Sequence, residues 1–128
     1  MIIDGKNVLI LHLKEKWWNM IKSGEKTEEY CRATIYWTKR LIEIVPVNMF
    51  FSDRDGNVVL RDKNYYQFYK HFDEAWLLKG YPKLTESDKI IKWVSPMIVF
   101  RQGFPEWGAP ENESVFVIKE MERWNEQR

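Results

Sequence analysis

The order of hydrophobic and polar positions near the start of the chain predicts a strand followed by a helix. The apolar, β-branched run at 8–13 is typical of a buried strand. In the following EKWWNMIKSG, Trp17, Met20 and Ile21 fall on one helical stripe, and Gly24 can supply a left-handed stop. The pattern therefore predicts one strand and then one helix of about ten residues.

The next third of the chain carries weaker patterns that still favour β-structure. Residues 26–33 follow the helix stop and contain β-favouring Thr and Tyr, which predicts a second strand. A helical turn at 34–39 and a strand at 41–51 come next, with Pro46 limiting that strand to an edge or splitting it. The dipeptide Asp55-Gly56 lies between two β-like runs and predicts a hairpin turn.

The aromatic stretch at 65–76 repeats its large residues at helical spacing. Tyr65, Phe68, Tyr69, Phe72 and Trp76 follow the i, i+3, i+4, i+7 rule, which predicts an amphipathic helix with its aromatic face in the core. Beyond it, runs with strand character occupy 90–94, 97–101 and 114–121, separated by a proline and by a turn-rich loop.

Composition limits the classes of function. The chain has 128 residues, the length of a single domain, and 45% of them are hydrophobic, so a packed core is expected. Its net charge is +1, so no overall field attracts a polyanion and any nucleic-acid site must be local. A single cysteine, Cys31, and two histidines predict no disulfide, no metal site and no cofactor, and they favour a reducing, cytoplasmic location.

The apolar run near the N-terminus is too short for a membrane helix, so no membrane association is expected. The sequence specifies no oligomeric state.

Four separate segments resemble one known family. Gly24, Lys26 and Glu29 fall in register with a G-x-K-x-x-E-x-R pattern that follows a strand and an amphipathic helix. Similar matches occur at the Tyr-Trp pair with its following basic residues, at the Val-Phe-Arg-x-Gly strand end, and at the Pro-Glu-Trp-Gly-Ala loop of 105–109. In this order the segments resemble the ASCH domains of the PUA-like superfamily, in their phage and bacterial form.

The resemblance implies a fold and a domain organisation. It implies an α+β protein with a PUA-like small mixed β-barrel and flanking helices, spanning 1–128 as a single domain, with about 45–95 as an insertion or elaboration. The chain departs from the family at Cys31, where the pattern has Arg, and Arg32 follows. On an extended strand this one-residue shift points the guanidinium to the opposite face.

The resemblance also implies an RNA or nucleoside partner. In that interpretation Lys26, Glu29 and Arg101 line a cleft, where a cation contacts phosphate and aromatic or guanidinium planes stack on bases. Further nucleic-acid contacts are expected from Arg32, Tyr36, Trp37 and Arg40.

Two other functions remain open from the sequence. A desolvated Lys26 can act as a base with Glu29 as proton shuttle, as in a small hydrolase acting on acetylcytidine or on RNA. Family members that deacetylate acetylcytidine carry a nucleophilic Thr where this chain has Glu29, so whether the chain is an enzyme is undecided. The third alternative is a protein-interaction domain, and a plain surface ion pair worth under about 1 kcal/mol also explains Lys26 and Glu29.

Overall fold

The chain is a mixed α+β protein made mostly of strands. A computed structural model describes residues 1–46, 51–52, 58–59 and 65–123. Contacts within the chain divide it into two compact units, one formed by Met1–Ala33 with His71–Arg128 and the other by Thr34–Lys70. Within the described residues there are two α-helices, α1 (Glu15–Ser23) and α2 (Ile35–Leu41). The strands are β1 (Ile2–Ile3), β2 (Lys6–Leu13), β3 (Glu28–Cys31), β4 (Ile42–Pro46), β5 (Phe51–Ser52), β6 (Val58–Val59), β7 (Tyr65–Tyr69), β8 (Glu74–Lys79), β9 (Ile90–Val94), β10 (Met97–Gln102), β11 (Ser114–Lys119) and β12 (Glu122–Arg123).

The first unit contains two sheets. One has five strands in the order β1-β2-β8-β9-β12, in which β2 and β8 run parallel and the other pairs are antiparallel. The other is antiparallel, with β11 between β10 and β3. The central strands β8 and β11 each contain four or more consecutive buried residues, the pattern of strands covered on both faces.

Helix α1 connects β2 to β3 and is held by its buried stripe. Trp18 and Ile21 are buried, and the Trp18 indole N–H donates to the Leu77 carbonyl at 2.9 Å. Gly24 ends the helix with φ +86°, a left-handed conformation that glycine adopts without the usual steric cost. This confirms the strand, helix and stop predicted for the N-terminal segment.

The second unit begins with α2, whose Thr34 side chain caps the helix by accepting the Trp37 backbone N–H. Strand β4 follows α2 directly and pairs antiparallel with β7, and β5 pairs antiparallel with β6. The predicted Asp55-Gly56 turn itself lies outside the described residues.

The helix predicted for 65–76 is wrong. Tyr65–Tyr69 forms β7, and Glu74–Lys79 forms β8 beside β2. Aromatic residues are common in strands, so the composition of this stretch is compatible with a strand as well as with a helix. The strand that pairs with β8 in parallel, β2, lies more than sixty residues earlier in the chain. Local periodicity cannot register such a pairing.

The strands predicted near the C-terminus are confirmed as β9, β10 and β11. A mixed sheet is present, but the hydrogen-bonded pairings of the described strands do not close into a barrel, so the small β-barrel is not confirmed. Neither helix in the described part of the chain has the length and apolar character needed to cross a membrane.

Candidate functional site

Lys26 lies between α1 and β3, and its side chain is fully buried. The Lys26 backbone N–H donates to the Met20 carbonyl, which folds the chain back after the glycine stop. Its Nζ donates to Glu29 Oε2 at 2.9 Å. The same ammonium lies 4.8 Å from the centre of the Trp17 ring and 5.5 Å from that of Tyr30. An ion pair and two aromatic faces therefore surround one buried cation.

Burial lowers the pKa of Lys26 below its ordinary value of 10.5. Loss of hydration is the largest cause, because it disfavours the charged amine. The Glu29 carboxylate opposes the shift by charge and by hydrogen bonding, and Glu28 opposes it by charge. At a given pH, a larger fraction of the Lys26 amine is therefore neutral than in an ordinary surface lysine.

A second ion pair joins β3 to β10. Glu28 is buried, and its Oε2 accepts from an Arg101 terminal nitrogen at 2.6 Å. The strand register determines the face on which these residues lie, since Arg101 lies opposite Val115 and Glu28 lies opposite Lys119 on β11. Side chains two residues apart on a strand share a face, so Glu28 and Arg101 lie on the same side of this sheet.

Tyr30 connects these two ion pairs. Besides its contact with the Lys26 ammonium, its hydroxyl accepts the Phe104 backbone N–H at 3.0 Å. Burial raises the pKa of Tyr30 well above its ordinary value, and the nearby Glu28 carboxylate acts in the same direction. We call Trp17, Lys26, Glu28, Glu29, Tyr30 and Arg101 the Tyr30 cluster.

The loop after β10 is packed tightly against this cluster. A Cβ placed on Gly103 would lie 2.2 Å from Tyr30 Cε1 and 2.7 Å from the Ala109 Cβ. Gly108, at φ +100°, lies close to the Trp17 ring, so a Cβ there would be 3.0 Å from Trp17 Cε2. The glycines of the predicted Val-Phe-Arg-x-Gly and Pro-Glu-Trp-Gly-Ala segments thus allow the loop to reach the two aromatic rings.

Cys31 and Arg32 follow Tyr30 directly along the chain. Cys31 is buried, and burial raises the pKa of its thiol. Arg32 is exposed and forms an ion pair with Glu113 at 3.3 Å. The guanidinium of the cluster is supplied by Arg101.

The predicted rim residues Tyr36, Trp37 and Arg40 belong to the second unit, where they form a surface group on α2. The Arg40 guanidinium lies 4.4 Å from the centre of the Tyr36 ring, and the rings of Tyr36 and Trp37 meet edge to face at 5.0 Å. Tyr36 is 55% exposed. The group presents aromatic and cationic surface to solvent.

Three cluster residues were not singled out from the sequence as functional. Trp17 was interpreted as core packing, although it is only partly buried and contacts Lys26. Glu28 and Tyr30 were passed over, and the available signal was strand alternation, which places both on one face of β3.

No group of three or more histidine, cysteine, aspartate or glutamate side chains suited to a metal ion occurs in the described ranges. Comparison with protein-family models, with curated proteins and with solved structures finds no match for the chain.

Proposed function

We propose that the chain is an ASCH-type domain of the PUA-like superfamily, acting in the cytoplasm, that binds single-stranded RNA or a modified nucleoside at the Tyr30 cluster. One observation carries the proposal. Lys26 with Glu29, and Glu28 with Arg101 from a distant strand, form two ion pairs that meet at the single side chain of Tyr30. The proposal includes the small β-barrel fold of that superfamily for this chain.

The chemistry of the cluster suits a nucleobase with an attached phosphate. Buried carboxylates accept hydrogen bonds from exocyclic amino groups, and aromatic rings stack on bases. Arg101 is the exposed member of its pair, with 39% of its side chain accessible against 3% for Glu28. In this proposal Arg101 contacts phosphate, while Glu28, on the same face of the sheet, accepts hydrogen bonds from the base.

The exposed group on α2 provides a second contact of the same kind. Tyr36 stacks on an unpaired base, and the Arg40 guanidinium above it contacts either the base plane or a phosphate. Trp37 supports the Tyr36 ring from its edge. Arg32 adds a cation at the end of β3.

Binding of a short fluorescein-labelled single-stranded RNA, followed by anisotropy over a series of salt concentrations, tests the proposal. Arg101→Gln is expected to weaken binding and to reduce the slope of log affinity against log salt by about one. The matched control is Arg123→Gln, because Arg123 also pairs with a glutamate, Glu120 at 2.7 Å, but lies on the five-stranded sheet.

Thermal unfolding of each variant separates lost binding from lost folding. RNA affinity that is equal in Arg101→Gln and Arg123→Gln would refute the cluster as the site. Absence of RNA binding by the wild type at low salt, together with absence of binding to cytidine and acetylcytidine, would refute the function.

One observation favours a second candidate, a small hydrolase. The lowered pKa of Lys26 increases its neutral amine fraction, which a general base requires, and Glu29 at 2.9 Å can exchange the proton. Incubation with acetylcytidine and with labelled RNA tests it. Turnover that is abolished in Lys26→Met but kept in the folded Arg123→Gln supports the enzyme, and binding without turnover rejects it.

A further inference from the structure

A groove of about 400 Å³ opens in the first unit, beside the start of α1. Its volume lies within the roughly 300–1,000 Å³ of small-molecule sites. None of its lining residues belongs to the Tyr30 cluster. The binding proposal above therefore leaves this groove without a role.

Three lysines line the groove. Lys14 lies at the start of α1, Lys79 ends β8, and Lys89 precedes β9. Two acidic side chains accompany them, with Glu15 3.2 Å from Lys79 and Glu86 3.1 Å from Lys89. Lys89 and Glu86 are 43% and 38% exposed, so their pair is weak and Lys89 readily exchanges it for a better anion. The ionisable lining carries one more positive than negative charge.

The lining of this groove also includes an aromatic side chain. Tyr81 lines it and stacks on His12, with ring centres 4.3 Å apart and planes 19° from parallel. Even so, 87% of Tyr81 is exposed. Because His12 covers one face of the ring, the exposure lies mainly on the other face, which is available to stack on a planar ligand.

Hydrogen bonds hold in place the backbone segments that line the groove. The Gly80 N–H donates to the Leu13 carbonyl at 2.8 Å, and the Gly80 carbonyl contacts His12 Nδ1 at 2.9 Å. The Lys83 N–H donates to Glu86 Oε2 at 2.7 Å. The groove is therefore present before a ligand arrives, which reduces the entropic cost of binding.

We propose that this groove binds a nucleotide through its phosphate and its base, with the phosphate contacted by Lys14 and Lys89 and the base stacked on Tyr81. A free nucleoside monophosphate and the 5′-phosphorylated end of an RNA strand share this chemistry. A lone phosphate satisfies only the lysines, and an uncharged nucleoside satisfies only the tyrosine.

Two-dimensional amide NMR titrations test the assignment with three probes: adenosine 5′-monophosphate, adenosine and inorganic phosphate. The monophosphate is expected to shift the amides of 12–15 and 79–89 and to bind more tightly than the other two. Tyr81→Leu should weaken monophosphate binding about tenfold without changing phosphate binding. Lys14→Gln combined with Lys89→Gln should weaken both the monophosphate and phosphate about tenfold, and leave adenosine unchanged.

Lys22→Gln is the matched control, because it removes one exposed lysine from the other end of α1. Monophosphate affinity that is unchanged by both groove variants, or reduced equally by Lys22→Gln, would overturn the proposal, as would amide shifts confined to other parts of the chain. Shifts at the amides of 26–30 and 101–104 would report binding at the Tyr30 cluster instead, so the positions of the shifted amides test the groove and the cluster separately.

A comparison of binding of a short RNA with a 5′-phosphate and of the same RNA with a 5′-hydroxyl distinguishes a free nucleotide from an RNA strand end as the ligand. Tighter binding of the phosphorylated RNA than of the hydroxyl-ended RNA, with the difference lost in the Lys14→Gln and Lys89→Gln double variant, identifies a strand end as the ligand. Equal binding of the two identifies the free nucleotide. Both results support the groove as a nucleotide site.

Discussion

The buried pair of Lys26 and Glu29 allows a quantitative test of how the site is built. Lys26 has no exposed side-chain surface, whereas Glu29 retains 14%, and their charged atoms are 2.9 Å apart. Removing one partner leaves an uncompensated charge, but the two removals are not equivalent. Glu29→Gln leaves a cation without access to water, whereas Lys26→Met leaves a carboxylate that still accepts the Tyr30 N–H and can reach solvent.

We therefore expect Glu29→Gln to lower the free energy of unfolding by about 3 kcal/mol, near the lower end for a broken buried pair. Lys26→Met should cost about 1.5 kcal/mol, the value of a hydrogen bond to a charged group. The double variant lacks both charges of this pair and has similar volume, so it should lie within about 1 kcal/mol of the wild type. The coupling energy of the cycle is then at least about 3.5 kcal/mol.

Urea unfolding followed by tryptophan fluorescence measures all four proteins, with equal slopes required for comparison. The exposed pair of Arg32 and Glu113 is the matched control, because it lies just beyond the same strand, and the cycle of their Gln variants should give coupling under about 1 kcal/mol. Additive effects at Lys26 and Glu29, or a larger cost for Lys26→Met than for Glu29→Gln, would refute the assignment of burial as the controlling feature.

Three further predictions concern the surroundings of this pair. Gly103→Ala should lower the free energy of unfolding by about 1–3 kcal/mol, because its Cβ overlaps the Tyr30 ring, and this cost should shrink in a Tyr30→Ala background, where the ring is absent. The pKa of Tyr30 is raised, so above its ordinary value of 10.0 the unfolded chain releases a proton that the folded chain keeps. Stability should consequently fall with rising pH in that range, and Tyr30→Phe should reduce this fall in urea unfolding measured from about pH 9 to pH 11. Cys31, buried and with a raised pKa, should react with a thiol reagent only as fast as the chain opens, so rapid labelling of the native protein would contradict its placement.

Several elements followed from local sequence alone. The β2 strand, α1 and its stop at Gly24 were predictable because a contiguous apolar run, a helical stripe and a left-handed glycine are each specified within a few residues. The same holds for the helical turn predicted at 34–39, which is part of α2, and for β9, β10 and β11. In each case the local preference agrees with the tertiary surroundings.

The 65–76 stretch shows where local preference does not decide. Its aromatic residues satisfy helical spacing, yet the stretch forms strands. Strand β7 pairs antiparallel with β4, and β8 pairs parallel with β2. A parallel neighbour is always distant along the chain, and its hydrogen bonds and burial are invisible to a window of sequence. Tertiary pairing therefore overrode a periodicity that was compatible with both structures.

The candidate site divides in the same way. The family resemblance in the sequence pointed to Lys26, Glu29 and Arg101, and alternation on β3 placed Glu28 and Tyr30 on one face. Which carboxylate meets which cation was decided by the pairing of β3 and β10 with β11, and by the loop that lies against Tyr30. The sequence determines which side chains can carry a charge or form a hydrogen bond. The burial of each side chain and its ion-pair partner are determined only when distant strands pack, because that packing excludes water from the side chain.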